Sequence, residues 1–165
     1  MQGETLYKGI RGIGEVSASS VVMLPYAPSS VAVARQRLSA ELQGAGLLAT
    51  AVDDVVLILS ELLSNALRHA HPLPSGQLKV AWYCSDRQVE VAVSDGGAYT
   101  EPRAGRPTLS SLGGRGLGIV EYLAERWGVR HEAEITTVWA VVLVAAPDRN
   151  GHQGLSETRI LREVG

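Results

Sequence analysis

Between Val52 and Ala70, the apolar residues Val52, Val55, Val56, Leu59, Leu62, Leu63, Ala66, Leu67 and Ala70 recur at steps of three and four. A run of that period is one long helix with a broad apolar face, and such a face must be buried against a second layer. The helix is predicted from about Ala49 to Ala70, where His71-Pro72 stops it. Ser60, Glu61, Ser64, Asn65, Arg68 and His69 fall on the other, polar face. Within it Glu61, Asn65 and His69 stand at i, i+4 and i+8, stacked in one row. A carboxylate, a carboxamide and an imidazole in a row can serve as base, metal ligand and supporting donor. The same row is also what the solvated side of an amphipathic helix looks like, so the helix alone leaves the choice open.

The elements around this helix suggest the second layer. Residues 1–17 are Gly-rich without a sustained period and are expected to form a flexible tail or a short edge strand. Val21 to Leu24, closed by Pro25, reads as a brief strand. Pro28-Ser29-Ser30 offers a cap for a helix over Val31 to Leu42, ended by Gly44 and Gly46. After the long helix the period changes to two. Leu78, Val80 and Trp82, then Val89, Val91 and Val93, flank the turn Ser85-Asp86-Arg87. That pattern predicts an antiparallel hairpin with one face buried. Asp95 to Gly114 has no period and resembles an active-site lid in its length of about 20 residues. Gly116 to Trp127 returns to helical spacing, with Ile119, Leu123 and Trp127 on one face. Val129 to Glu132 and Thr137 to Val144 make a last hairpin. The order strand, helix, helix, hairpin, lid, helix, hairpin predicts a two-layer α/β sandwich with a mixed, mostly antiparallel sheet covered on one face by helices. The domain is expected over 18–146. A polar tail follows over 147–165, with one short helical turn near Leu155 to Leu161.

At 165 residues the chain has room for one domain with a real core. A hydrophobic content of 45% argues against disorder. No apolar run is long enough to span a membrane. The first twenty residues lack a basic segment followed by an apolar one, so no secretory signal is expected. The single cysteine, Cys84, has no internal disulfide partner and reads as a packing residue in a strand. These features point to the cytoplasm. A net charge of −2 leaves no electrostatic footprint for direct nucleic-acid binding.

Two further stretches carry chemistry. Gly113-Gly114-Arg115-Gly116-Leu117-Gly118 runs directly into a helix. Glycines allow close approach of a ligand to the backbone, and the free N–H groups of the first turn favour an anion. No Lys-Ser/Thr pair follows, so this is not a P-loop. A hinge before a helix would look the same. Asp95, at the end of an alternating strand, precedes Gly96-Gly97. A carboxylate there can accept from an exocyclic amine such as that of adenine, or simply form a turn.

Glu61-x-x-x-Asn65, then Asp95-Gly96-Gly97, then Gly114-Arg115-Gly116-Leu117-Gly118 resembles, in order and spacing, the GHKL (histidine kinase-like) superfamily of ATPases and kinases. Within it SELLSNALRHA, GGRGLGIVEYLAERWGV and TTVWA are similar to the stand-alone anti-sigma factor serine/threonine kinases of bacteria. The resemblance covers roughly residues 21–145 and implies the Bergerat ATP-binding fold. It implies Glu61 as the carboxylate that polarises the attacking hydroxyl and Asn65 as a Mg²⁺ ligand, with His69 beside them. Asp95 is implied to read adenine, Gly97 to lie under the base, and Gly114, Gly116 and Gly118, with Arg115 and Leu117 between them, to line the triphosphate. Thr137 is implied as the hydroxyl supporting the adenine site. The implied cofactors are ATP and Mg²⁺. The implied partners are an anti-anti-sigma factor as protein substrate and a sigma factor, and the resemblance also allows a homodimer. The usual second glycine of the adenine motif is Tyr99 here, and Ile135-Thr136 stands where Gly-Lys is frequent. Both bear on turnover more than on nucleotide binding. The expected function is a serine/threonine protein kinase and anti-sigma factor that regulates transcription by partner switching. The alternative is a catalytically weak or inactive ATP-binding module acting by protein binding alone. Arg35 and Arg37, on the first helix, are candidates for partner contact.

Overall fold

In a computed structural model the described residues are 16–98 and 115–145. Five strands and three helices follow the order β1 (Val16–Pro25), α1 (Ser29–Gly44), α2 (Ala49–His69), β2 (Gln77–Ser85), β3 (Gln88–Asp95), α3 (Arg115–Leu123), β4 (Arg126–Glu132) and β5 (Ile135–Leu143). The strands form one sheet in the order β1-β2-β3-β5-β4. Every pairing among the described residues is antiparallel, where the sequence suggested a mixed, mostly antiparallel sheet. The two hairpins and the return of β1 onto β2 leave no parallel neighbour to form.

The core explains the two layers. Val22, Leu24, Leu78, Val80, Trp82, Cys84, Val89, Val91, Val93, Ala140 and Val142 alternate along their strands and all lie on one face. Against them pack Leu38 and Leu42 of α1, Val55, Leu59 and Leu63 of α2, and Leu117 and Val120 of α3. The apolar stripe of α2 is therefore the centre of the core. Ser60, assigned to the polar face, is buried instead, and its Oγ donates to Val56 O at 2.7 Å.

The remaining departures have local causes. β1 extends to Val16, well before Val21, because the ladder to β2 continues as far as Ser85 despite a register shift between Val16 and Ala18. The hairpin does not keep one face open. In β3 Glu90, Ala92 and Ser94 are buried along with the valines. β3 is the central strand, and Trp139 stands beside Ala92 in the cross-strand pairing. Burial raises the pKa of Glu90, and the charges of Arg130 and Arg126 pull it back down. α1 begins at Ser29 without a side-chain cap; Ser30 Oγ donates to Pro25 O at 2.6 Å instead. α3 ends at Leu123 rather than reaching Trp127. Ala124 N–H closes the last turn on Val120 O, and Glu125 N–H already donates to Val141 O of the sheet. Trp127 is a β4 residue opposite Ala140. The tails, most of the expected lid and the helical turn near Leu155 lie outside the described residues.

Candidate functional site

The site grows from the C-terminal half of α2. Glu61 and Asn65 are half-buried and one turn apart; His69 is exposed in the last turn. Among the described residues neither the Glu61 carboxylate nor the Asn65 amide has a hydrogen-bond partner. Arg68 places positive charge in the last turn, where the helix dipole favours it. Tyr26, between β1 and α1, fixes this end: its hydroxyl lies 3.0 Å from Leu67 O and 2.6 Å from Ala70 O.

Beyond Ala70 the chain is extended and clips onto the loop after β3. His71 N–H donates to Gly97 O, Gly96 N–H donates to His71 O, both at 2.8 Å, and Ala70 bridges Ala98. A Cβ on Gly96 would overlap the Pro72 carbonyl oxygen, so only glycine permits this approach. Gly97 takes φ +97, the left-handed region. The Asp-Gly-Gly run is thus neither a simple turn nor a loose hinge. It joins the end of α2 to the end of β3.

Asp95 sits at that junction, 5% exposed, on the helix side of the sheet with Val91 and Val93. Its Oδ1 accepts from Gly97 N–H at 2.8 Å. The other carboxylate oxygen has no hydrogen-bond partner among the described residues. Burial pushes its pKa up to about 6, against the Gly97 hydrogen bond and the nearby His131 and His71, which lower it. A buried carboxylate with one oxygen unpartnered among the described residues suits recognition of a single N–H donor.

Across the sheet Asp95 pairs with Thr136, and Ser94 with Thr137. Successive side chains point to opposite faces, so the hydroxyl on Asp95's side is that of Thr136. Thr136 Oγ1 is the atom closest to where a Cβ on Gly97 would be, 4.0 Å away. Thr137, singled out by the resemblance, turns to the other face and lies 2.7 Å from Ser94 Oγ, where both are buried. His131 of β4, which no sequence motif singles out, is exposed and places Nδ1 3.0 Å from Thr136 Oγ1.

Arg115, Gly116, Leu117 and Gly118 form the first turn of α3, whose leading N–H groups lack helical acceptors. Leu117 is 1% exposed, so its side chain belongs to the core and only its backbone is available. Gly118 is exposed with open space around it. Gly114 lies outside the described residues. α3 packs on α2, which brings this turn to the same helical layer as Glu61 and Asn65. Among the described residues no cluster of three His, Cys, Asp or Glu side chains could hold a metal. An amide oxygen such as that of Asn65 fits a Mg²⁺ ion that keeps waters and phosphate oxygens as its other ligands. No described helix is long and apolar enough to cross a membrane.

The comparisons with known proteins agree with this fold. The family described as the histidine kinase-like ATPase domain matches residues 24–142. The chain is 24% identical over 129 residues to the serine-protein kinase RsbW of Listeria innocua serovar 6a, covering 71% of this chain and 82% of that protein. RsbW of Listeria monocytogenes serotype 4b matches at the same identity and coverage. Among solved structures, the RsbU and RsbW domains of Rv1364c from Mycobacterium tuberculosis superpose with a TM-score of 0.61 at 21% identity. That match covers 79% of this chain but only 33% of the longer one, and it speaks for the fold. With a family match spanning most of its length, from β1 to β5, the chain belongs to the histidine kinase-like ATPase domain family.

Proposed function

We propose that this protein is an ATP-dependent serine/threonine protein kinase that also acts as an anti-sigma factor. It holds a sigma factor and releases it on engaging and phosphorylating an anti-anti-sigma partner in the cytoplasm. The observation that carries the nucleotide part is the junction at Asp95, a buried carboxylate with a free oxygen, clipped to the helix that bears Glu61 and Asn65. The kinase and partner-switching parts rest on similarity to RsbW serine-protein kinases.

In this reading Asp95 accepts from the adenine amine, and the first turn of α3 donates N–H groups to phosphate oxygens. Asn65 would hold Mg²⁺, which neutralises charge on the transferring phosphoryl group. The serine hydroxyl oxygen of the partner bonds to the γ-phosphorus as the bond to the β–γ bridging oxygen breaks and ADP leaves. Glu61 takes the hydroxyl proton. Tyr99, in place of a glycine, favours the second reading, a nucleotide-binding module without turnover. Incubation with γ-labelled ATP and an anti-anti-sigma protein encoded beside this chain separates the two. Label on the partner supports the kinase. Nucleotide binding without label supports the module, and absence of any Mg-ATP-induced melting shift overturns both.

A further inference from the structure

We infer that His131 is a positioning residue for base recognition: by donating from Nδ1 to Thr136 Oγ1 it turns the threonine hydroxyl hydrogen toward the base edge beside Asp95. The inference rests on the nucleotide-binding reading above and adds to it the residue that sets preference among purines.

The geometry is specific. His131, Thr136 and Asp95 occupy three successive strands, β4, β5 and β3, in direct register: His131 pairs with Thr136 and Thr136 with Asp95. All three lie on the helix side of the sheet. The imidazole Nδ1 is 3.0 Å from Thr136 Oγ1, and Thr136 is half-buried beside Gly97. A threonine hydroxyl has one hydrogen and two lone pairs. In the tautomer that carries its hydrogen on Nδ1, one lone pair is taken by the imidazole N–H and the hydroxyl hydrogen is left to point into the site. Asp95 then offers an acceptor and Thr136 a donor, side by side. The Watson–Crick edge of adenine presents the complement: an amine donor at N6 and an acceptor at N1. Guanine presents O6, an acceptor, to the Asp95 carboxylate and N1–H, a donor, to the Thr136 hydrogen. Both contacts are then mismatched, and mismatched polar contacts discriminate more strongly than missing methyl groups. Without His131 the hydroxyl is free to rotate, and the donor is no longer fixed.

The test measures ADP and GDP dissociation constants by calorimetry for the wild type, His131→Ala, His131→Asn, Thr136→Val and the His131→Ala/Thr136→Val pair. The Asn amide N–H can take the place of Nδ1–H. Expected are a roughly five- to tenfold weaker ADP affinity for His131→Ala, the size of one hydrogen bond, and a smaller ADP-to-GDP preference. Recovery of most of the affinity is expected with His131→Asn. Thr136→Val should lose as much as His131→Ala, and the double variant should lose no more than either alone. Nitrogen-15 shifts of the His131 ring should show a protonated Nδ1 that changes in Thr136→Val. Wild-type affinity and preference in His131→Ala, or fully additive losses in the pair, would overturn the inference while leaving nucleotide binding intact. A wild type that binds neither nucleotide overturns the nucleotide-binding reading and this inference together.

Discussion

The indole N–H of Trp82 donates to Glu41 Oε2 at 2.7 Å, joining a fully buried strand residue to the outer helix α1. Ser20 Oγ lies 2.8 Å from the other carboxylate oxygen of Glu41, so β1, β2 and α1 meet on one side chain. Replacing Glu41 with Leu removes the acceptor from a buried donor. We expect a loss of about 1–3 kcal/mol, read as a lower urea midpoint with unchanged m-value. Adding Trp82→Phe should cost less than the sum of the two changes. Additive losses would mean that the pair does not act as a unit.

Asp95→Asn should move two quantities in opposite directions. The amide can still accept from Gly97 N–H, so the local turn survives. Because burial raises the Asp95 pKa from 3.8 to about 6, the protonated form favours the folded state. That stabilisation is fully present below pH 3.8 and is lost as pH rises through 6. A neutral Asn keeps it, so the variant without nucleotide should be more stable at pH 7 by about 1–3 kcal/mol, and the gain should vanish below pH 4. The roughly 2.7 kcal/mol that nucleotide at about 100 times its Kd adds to the wild type should largely disappear. In the wild type, ADP affinity should fall below pH 6, approaching about tenfold per unit. Thermal melts across pH, with and without Mg-ADP, check all three.

Gly96→Ala tests the clip. The new methyl group must displace the Pro72 carbonyl, and with it the His71–Gly97 hydrogen bond. Overpacking of this kind costs about 1–3 kcal/mol. Hydrogen exchange at the His71 and Gly96 amides should quicken more than exchange in β2 or β3. Uniform quickening across the sheet would show that the strain is not local.

Glu61→Gln and Asn65→Ala separate the two α2 positions. The first is nearly isosteric and leaves the amide of Asn65 in place. It should retain Mg-ATP affinity while transfer to a partner serine falls by about 10²–10⁴. The second should weaken Mg-dependent binding and transfer together. A solvated helix face predicts changes within about half a kcal/mol of stability and nothing else. Wild-type transfer by Glu61→Gln would remove Glu61 from its catalytic role.

The long elements were legible because their periods are carried by many residues at once. Eight of the nine apolar positions fall in α2 and pack in the core, with Ala70 at its extended C-cap, and the alternation from Leu78 to Val93 holds as well. Misreadings fell where one residue decides. Trp127 stands four residues after Leu123 and so continues the helical period by coincidence, while the backbone has already entered β4. Thr136 and Thr137 are adjacent, and a strand turns adjacent side chains to opposite faces, so a displacement of one residue moves the chosen hydroxyl from the Asp95 face to the Ser94 face. His131, Tyr26 and Gly96 take their roles from partners 5, 41 and 44, and 24 residues away in sequence respectively, and local pattern carries no trace of such pairs. The doubled glycine after Asp95 was the one available hint, since a turn needs only one.

Gly128 lies under the indole of Trp139, whose Cζ2 would be 2.8 Å from any Cβ added there. An aromatic ring thus roofs the bare backbone of β4, the last strand of the sheet. Indole emission depends on the polarity of its surroundings, so the colour of Trp139 fluorescence is an optical record of whether β4 is docked. The strand that carries His131 therefore comes with its own reporter, readable in solution once Trp82 and Trp127 are replaced by phenylalanine.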